Sequence, residues 1–304
     1  MVLFVPDKNL PLRYVHRFEK RVGGAESNVA IALVRFGHSV GWISRVGDDE
    51  FGRFLLSSIR GEGVDVSQVK VDPGAPTGIY FKERRGPGRE KVYYYRSNSA
   101  ASRIQPSDLD PDYLKSARFI HLTGITPALS ASCRRAVFEA LKTARDAGVT
   151  VSFDFNIRLP LWKGEETRDM LLEIARKSDL VFINHQEAEI LFGTREPEEV
   201  LPRLLEGRCC TAIMKLGAQG AVAKTHEEEV FEPARRVEEI VDTVGAGDSF
   251  AAGVLAGKLR GYALADCLKL ANTTAAMVLG TEGDYESLPR SFEEVVSLAF
   301  GGRK

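Results

Sequence analysis

Short apolar runs alternate along this 304-residue chain with segments whose apolar residues recur at helical spacing. A strand is expected over 2–5. After the mixed segment 10–22, Gly23 and Gly24 open a helix in which Val29, Ala32, Leu33 and Phe36 line one face. Gly37 suits the left-handed position that ends helices. A strand over 40–46 and a helix over 51–59 follow, and the alternation resumes with strands near 119–122, 150–155, 180–183 and 211–215. Mostly apolar strands separated by amphipathic helices imply a largely parallel sheet covered on both faces.

Residues 78–83 and 91–96 break that rhythm. Both are β-rich, and between them lies only the basic stretch Lys82 to Lys91, whose Arg84, Arg85, Gly86, Pro87 and Gly88 read as a solvated hairpin tip. A hairpin inside an α/β chain suggests a small sheet projecting from the main domain, to which 10–22 can add strands. Such a sheet serves as a lid over a site, as a contact between subunits, or as both. We therefore expect one domain over 1–304 with a lid drawn from about 10–22 and 76–98.

Composition narrows the function classes. A chain of this length buries a sizeable core without metal or disulfide staples. Its 44% hydrophobic and 27% charged residues are ordinary for a soluble protein, and no apolar run approaches the roughly 20 residues that span a bilayer. A net charge of −1 argues against a nucleic-acid partner. Cys133, Cys209, Cys210 and Cys267 have neither metal-ligand spacing nor the density of a disulfide scaffold. His121, expected at a strand end, and His185 form no metal-binding pair. The first residues lack a secretory signal's basic and apolar regions, so the expectation is a cytoplasmic enzyme without membrane or nucleic-acid partners.

The chemistry concentrates in Asp242-Thr-Val-Gly245-Ala246-Gly247-Asp248-Ser-Phe. Residues 237–241 read as a strand, and Phe250, Ala251, Val254 and Leu255 recur at helical spacing, so Gly245 to Gly247 fall at a helix N-terminus. Free backbone N–H groups and the helix dipole favour an anion there, and small residues let phosphate oxygens approach. Asp248 beside a phosphate suits a base that deprotonates an attacking hydroxyl; the alternative is that it caps the helix.

Gly23-Gly24-Ala-Glu-Ser-Asn28-Val-Ala-Ile-Ala together with Asp242 to Phe250 resemble the paired signatures of ribokinase-type (PfkB family) sugar kinases. Asn184-His-Gln-Glu187 and Lys215-Leu-Gly217-Ala-Gln-Gly220 resemble intermediate elements of the same family. Tyr94-Tyr95-Arg96, the segment from His121 to Pro127 and the segment from Asp154 to Trp162 look most like 2-keto-3-deoxygluconate kinases. The resemblance implies a ribokinase-like three-layer α/β/α sandwich with a mostly parallel central sheet and a small β-sheet lid. It also implies ATP and Mg²⁺ as cofactors, a sugar-acid substrate, and a homo-oligomer joined through the lid. Fructokinase- or ribokinase-type activity on a neutral sugar, and a non-catalytic sugar-binding regulator on the same fold, are the competing readings.

Carried over by resemblance, Asp248 is the base and Gly245, Ala246 and Gly247 form the anion hole. Gly24, Asn28, Tyr80, Tyr94, Arg96, Arg158 and Asp284 contact the sugar acid, the two arginines binding its carboxylate. Asn184, Lys215, Gly217, Gly220 and Asn272 contact ATP, and Glu187 organises Mg²⁺ through water. The bland alternatives are a helix cap for Asn28, cross-strand packing for the two tyrosines and a helix-surface position for Glu187. Family members usually begin with a longer first strand, so part of a central strand is expected to lack a partner.

Overall fold

The computed structural model describes residues 1–84, 90–281 and 283–301; most of the basic tip, 85–89, lies outside the described residues. The strands are β1 (Val2–Pro6), β2 (Phe18–Val22), β3 (Ser44–Gly47), β4 (Val69–Asp72), β5 (Ile79–Arg84), β6 (Glu90–Tyr95), β7 (Phe119–Thr123), β8 (Thr150–Asp154), β9 (Leu180–Asn184), β10 (Thr211–Lys215), β11 (Gly220–Lys224) and β12 (Glu229–Pro233). The helices are α1 (Ala25–Arg35), α2 (Glu50–Gly61), α3 (Pro111–Lys115), α4 (Ile125–Leu129), α5 (Ala131–Ala147), α6 (Glu165–Lys177), α7 (His185–Phe192), α8 (Pro197–Leu204), α9 (Ala246–Leu259), α10 (Leu264–Leu279) and α11 (Phe292–Phe300).

The central sheet has the order β12-β11-β10-β9-β8-β7. β7 to β10 run parallel, and β11 and β12 are antiparallel additions at one edge. Strand β9 explains the layers. Its residues are buried on both faces: Leu180 and Phe182 pack with Ile31, Phe250 and Leu255, whereas Val181 and Ile183 pack with Leu171, Ile174 and Val200. One helical layer (α1, α9, α10) thus covers one face and another (α5, α6, α8) covers the other.

A separate four-stranded sheet has the order β2-β1-β5-β6. The expected hairpin is present as β5 and β6, with Tyr80 opposite Tyr94. Of the segment 10–22, residues 18–22 form a strand, and β1 joins this sheet as well, parallel to β5. Phe4 stacks on Phe81 at 4.9 Å and Phe18 meets Phe81 edge-on at 5.3 Å, an aromatic cluster drawn from three strands.

Three expectations are corrected. Residues 237–241 form no strand; the amides of Val241 and Asp242 instead reach the Leu279 carbonyl at the end of α10. The expected strand over 40–46 shortens to β3, paired only with β4 among the described residues. His121 sits in the middle of β7, not at its end, with Nδ1 2.9 Å from Ser152 Oγ on β8.

Helix α9 is apolar on every side and almost wholly buried, so its placement depends on close packing rather than on an amphipathic face. At Gly253 a Cβ would lie 2.6 Å from the Ala271 Cα of α10 and 2.7 Å from Thr274 Oγ1. Gly253→Ala is therefore expected to destabilise the chain by about 1–3 kcal/mol through overpacking. An unchanged urea midpoint would mean that α9 and α10 separate freely.

Candidate active site

Four distant parts of the sequence meet at the N-terminus of α9. Gly245 caps the helix at φ 82°, and a Cβ there would lie 2.3 Å from the Asp284 carbonyl oxygen, so glycine lets the 283–288 loop press against the turn. That loop is held from α1: Arg35 Nη1 donates to the carbonyls of Tyr285 (2.9 Å) and Leu288 (2.8 Å). The amides at the start of α9 have no intrahelical acceptor, and the dipole adds positive potential there. The Lys215 ammonium stands close by, 3.6 Å from where a Gly247 Cβ would be.

Asp248 occupies the first turn of α9, buried, and does not cap it. Its Oδ2 accepts from Asn28 Nδ2 at 2.8 Å, and the same nitrogen donates to Asp284 Oδ2 at 3.0 Å. One carboxamide thus holds two acids. Burial pushes Asp248 up to about 6 against the Asn28 hydrogen bond and the Arg158 charge. Burial likewise raises Asp284 to about 7, opposed by Asn28 and reinforced by Asp248.

Beneath this pair lies a second charged group. Lys215 Nζ donates to Asp154 Oδ2 at 2.7 Å, and although burial disfavours the ammonium, Asp154 and Glu187 outweigh it and raise its pKa. Glu187 is buried; its oxygens accept from the amides of Ile157 (2.8 Å) and Asn184 (2.9 Å). Burial first, then Asp154, raise it to about 7. Above, the lid strand β5 places Lys82 on Asp242, both buried. Asp242 Oδ1 also accepts from Val244 N at 2.9 Å, which ties the lid to the turn before Gly245. Removing one partner of such a buried pair typically costs about 3–5 kcal/mol.

Buried polar atoms without a hydrogen-bond partner among the described residues cluster here: Asn28 Oδ1, Asp284 Oδ1, Asp154 Oδ1 and Arg96 Nη2. Buried polar groups are normally satisfied, so these mark where polar ligand atoms go. Arg96 is buried, its guanidinium 4.2 Å from the Tyr94 ring centroid, and Tyr80 stacks on Tyr94 at 5.7 Å. Gly24 is the N-cap of α1, which carries Asn28. Arg158 is exposed, makes no ion pair among the described residues and faces Asp248 and Arg96 electrostatically.

Other expected residues are engaged in the fold itself. Asn184 caps α7, accepting from Gln186 N and Glu187 N. Asn272 Nδ2 donates to the carbonyls of Glu232 and Pro233 at 3.0 Å, pinning α10 to β12. Gly220 opposes Pro233 in the β11–β12 ladder, and Gly217 begins the tight turn after β10. Residue-by-residue reading passed over Asn156, whose φ of 39° aims Nδ2 at Asp248 Oδ1, 3.3 Å away. The signal was an asparagine directly after a strand, a residue that tolerates the left-handed region. Asp154, the partner of Lys215, and Lys82, the partner of Asp242, were also passed over as site residues.

The pfkB family of carbohydrate kinases matches residues 3–291. The 2-dehydro-3-deoxygluconokinase of Bacillus subtilis (strain 168) is 39% identical over 291 residues, covering 95% of this chain and 90% of its own length. The enzyme of the same name from Thermoproteus tenax is 43% identical over 292 residues, covering 94% and 88%. A sugar kinase from Pyrococcus horikoshii solved in complex with ATP superposes with a TM-score of 0.85 at 28% identity, covering 99% of this chain and 97% of that one.

Asp248 and Asp284 bind protons more tightly in the folded chain than as free carboxylates. Between about pH 4 and 7 the folded state therefore carries the extra protons, and unfolding free energy should fall as pH rises through that window. Asp284→Asn is expected to flatten the fall when urea midpoints are compared across it. The same slope in both proteins would remove Asp284 as its source.

Proposed function

This chain belongs to the pfkB family of carbohydrate kinases, and we propose on that premise that it phosphorylates the terminal hydroxyl of 2-keto-3-deoxygluconate with ATP, giving the 6-phosphate. Arg96 carries the sugar-acid reading. A buried guanidinium with a partnerless Nη2, against the Tyr94 ring and within electrostatic reach of Tyr80, suits a substrate that brings its own carboxylate to a site otherwise built for hydroxyls. Arg158 supplies a second, exposed cation on the same side. Tyr80 and Tyr94 from the lid close over the sugar, and Asn28 Oδ1 and Asp284 are available to its hydroxyls.

In the reaction the terminal hydroxyl oxygen attacks the γ-phosphorus, the bond from that phosphorus to the β-bridging oxygen breaks, and ADP leaves. Asp248 takes the hydroxyl proton. The amides following Gly245 and the Lys215 ammonium stabilise charge on the migrating phosphoryl group. Asn28 and Asn156 hold the two oxygens of Asp248, so the carboxylate is oriented before substrate arrives.

The residues present fit a hydrated Mg²⁺. Mg²⁺ gives up its hydration reluctantly, so one or two carboxylates with nucleotide phosphates and water suffice to hold it. Asp154 Oδ1 is buried without a partner, and Glu187 binds a proton that a cation would displace. Asp154 and Glu187 would face the ion through water, and Mg²⁺ would offset charge on the nucleotide phosphates.

Asp248→Asn is expected to bind ATP and sugar acid yet lose at least about 100-fold in kcat; near-normal turnover would remove Asp248 as the base. In the unaltered protein kcat/KM should rise with pH through about 6 and then level, following Asp248 ionisation. Asn28→Ala removes a hydrogen bond to the carboxylate, so that limb should move to higher pH. Arg96→Ala should raise KM for 2-keto-3-deoxygluconate by about tenfold or more while leaving KM for ATP within about twofold. A coupled ADP-release assay with ketodeoxygluconate, fructose and ribose tests the substrate class, and equal rates on all three would contradict it.

A further inference from the structure

Asn156, Ile157 and Arg158 follow one another between β8 and α6, and each meets a different part of the reaction site. Asn156 Nδ2 donates to Asp248 Oδ1 at 3.3 Å, and the Ile157 amide donates to Glu187 Oε1 at 2.8 Å. Arg158 is exposed, makes no ion pair among the described residues and lies within electrostatic reach of Asp248 and Arg96. One short piece of backbone thus carries a donor to the base, a donor to the carboxylate on the metal side and a cation for the substrate.

The chain is anchored on one side of this tripeptide and open on the other. Phe155 is fully buried, its amide donates to Phe182 O at 3.1 Å, and its carbonyl presses on Gly124, where a Cβ would lie 2.1 Å from the oxygen. Beyond Arg158, Leu159 is 68% exposed and the backbone makes a single 3-10 turn, with Leu161 N donating to Arg158 O at 2.8 Å. Left-handed residues stand at both ends of the segment, Asn156 at φ 39° and Gly164 at φ 68°. Segments with so much exposed surface belong to the less stable parts of a fold, so a contact made by Arg158 can restrain this one.

The base needs that restraint. Asn28 Nδ2 divides its donation between Asp248 Oδ2 and Asp284 Oδ2, whereas Asn156 serves Asp248 Oδ1 alone. Its bond is longer than the usual N–H···O distance of about 2.9–3.0 Å. Catalytic hydrogen bonds that are long in a substrate-free site tighten when substrate is in place.

We propose that residues 156–158 couple recognition of the substrate's carboxylate to the setting of the base, with Asn156 as the positioning residue. When the carboxylate pairs with Arg158 the segment is restrained, Asn156 closes on Asp248, and the Ile157 amide is held on Glu187. A sugar acid is thereby selected in turnover as well as in affinity, while a neutral sugar that fits the pocket meets a base held firmly by Asn28 alone. This rests on the sugar-acid function proposed for the site, and adds the route by which the acid end of the substrate acts on the end that is phosphorylated.

A double-mutant cycle on 2-keto-3-deoxygluconate phosphorylation tests the coupling. Asn156→Gly keeps the left-handed backbone and removes the carboxamide; it should lower kcat by about tenfold and leave KM for the sugar acid within about twofold. Arg158→Ala should raise that KM and also lower kcat by about tenfold. With both changes kcat should fall by about tenfold rather than about a hundredfold, because each breaks the same linkage. Saturating sugar acid should slow amide exchange over 157–163 by about fivefold or more in the unaltered chain, and by less than about twofold in Arg158→Ala. Losses in kcat that multiply, an unchanged kcat in Arg158→Ala, or full turnover in Asn156→Gly would each overturn the coupling, the last leaving Asn156 only its turn geometry. Should Asn156→Gly fail to fold, Asn156→Asp replaces it, with a larger kcat loss expected because an acceptor then faces the base. An unaltered protein that turns over no 2-keto-3-deoxygluconate would remove the sugar-acid function and the coupling with it; turnover with multiplying losses removes the coupling alone.

Discussion

One amide nitrogen governs the site. Asn28 Nδ2 donates to both Asp248 and Asp284, buried acids contributed by α9 and by the 283–288 loop. Without that shared donor, burial and mutual repulsion would drive both carboxyls toward the neutral form, and a neutral carboxyl accepts no proton. The rest of the fold serves this arrangement. α1 brings the amide, Gly245 admits the loop, Arg35 holds the loop's carbonyls, and Gly253 lets α10 press α9 into register.

Stability and chemistry oppose each other in this small volume. Four orphaned polar atoms, three raised carboxyls and a largely enclosed lysine make the region electrostatically expensive, while the two apolar layers around β9 supply the cohesion that keeps it closed. A ligand bearing hydroxyls, a carboxylate and phosphates meets these unmet needs, so binding relieves strain as it creates contacts.

Periodicity made the frame legible. β9 and β10 read as apolar runs because both of their faces are buried, and the glycine turn with the apolar stretch behind it reads as the start of α9 because sterics leave few alternatives. The failures have physical causes. Residues 237–241 look like a strand by composition, yet the Val241 amide bonds to the Leu279 carbonyl at the end of α10 instead of to a strand, and composition carries no information about available partners. Long-range polar pairs were equally invisible. Nothing local marks Lys82 as the partner of Asp242, or Asn156 as the second donor to Asp248, since each contact joins segments far apart in sequence. Asn184 and Asn272, to which motif resemblance pointed, also have a part in the fold that the motif does not announce: Asn184 Oδ1 caps α7 and Asn272 Nδ2 anchors β12.

The ion pair from β5 to Asp242 makes the small sheet and the turn before Gly245, the proposed sugar cover and phosphate cradle, a single mechanical part. Swinging the cover outward would strip a buried ammonium from its counter-charge and loosen the Val244 amide in the same movement. Under the proposed reaction, access to the pocket is thereby coupled to the geometry of the turn before Gly245, so that an ajar lid would also be a loosened phosphate site.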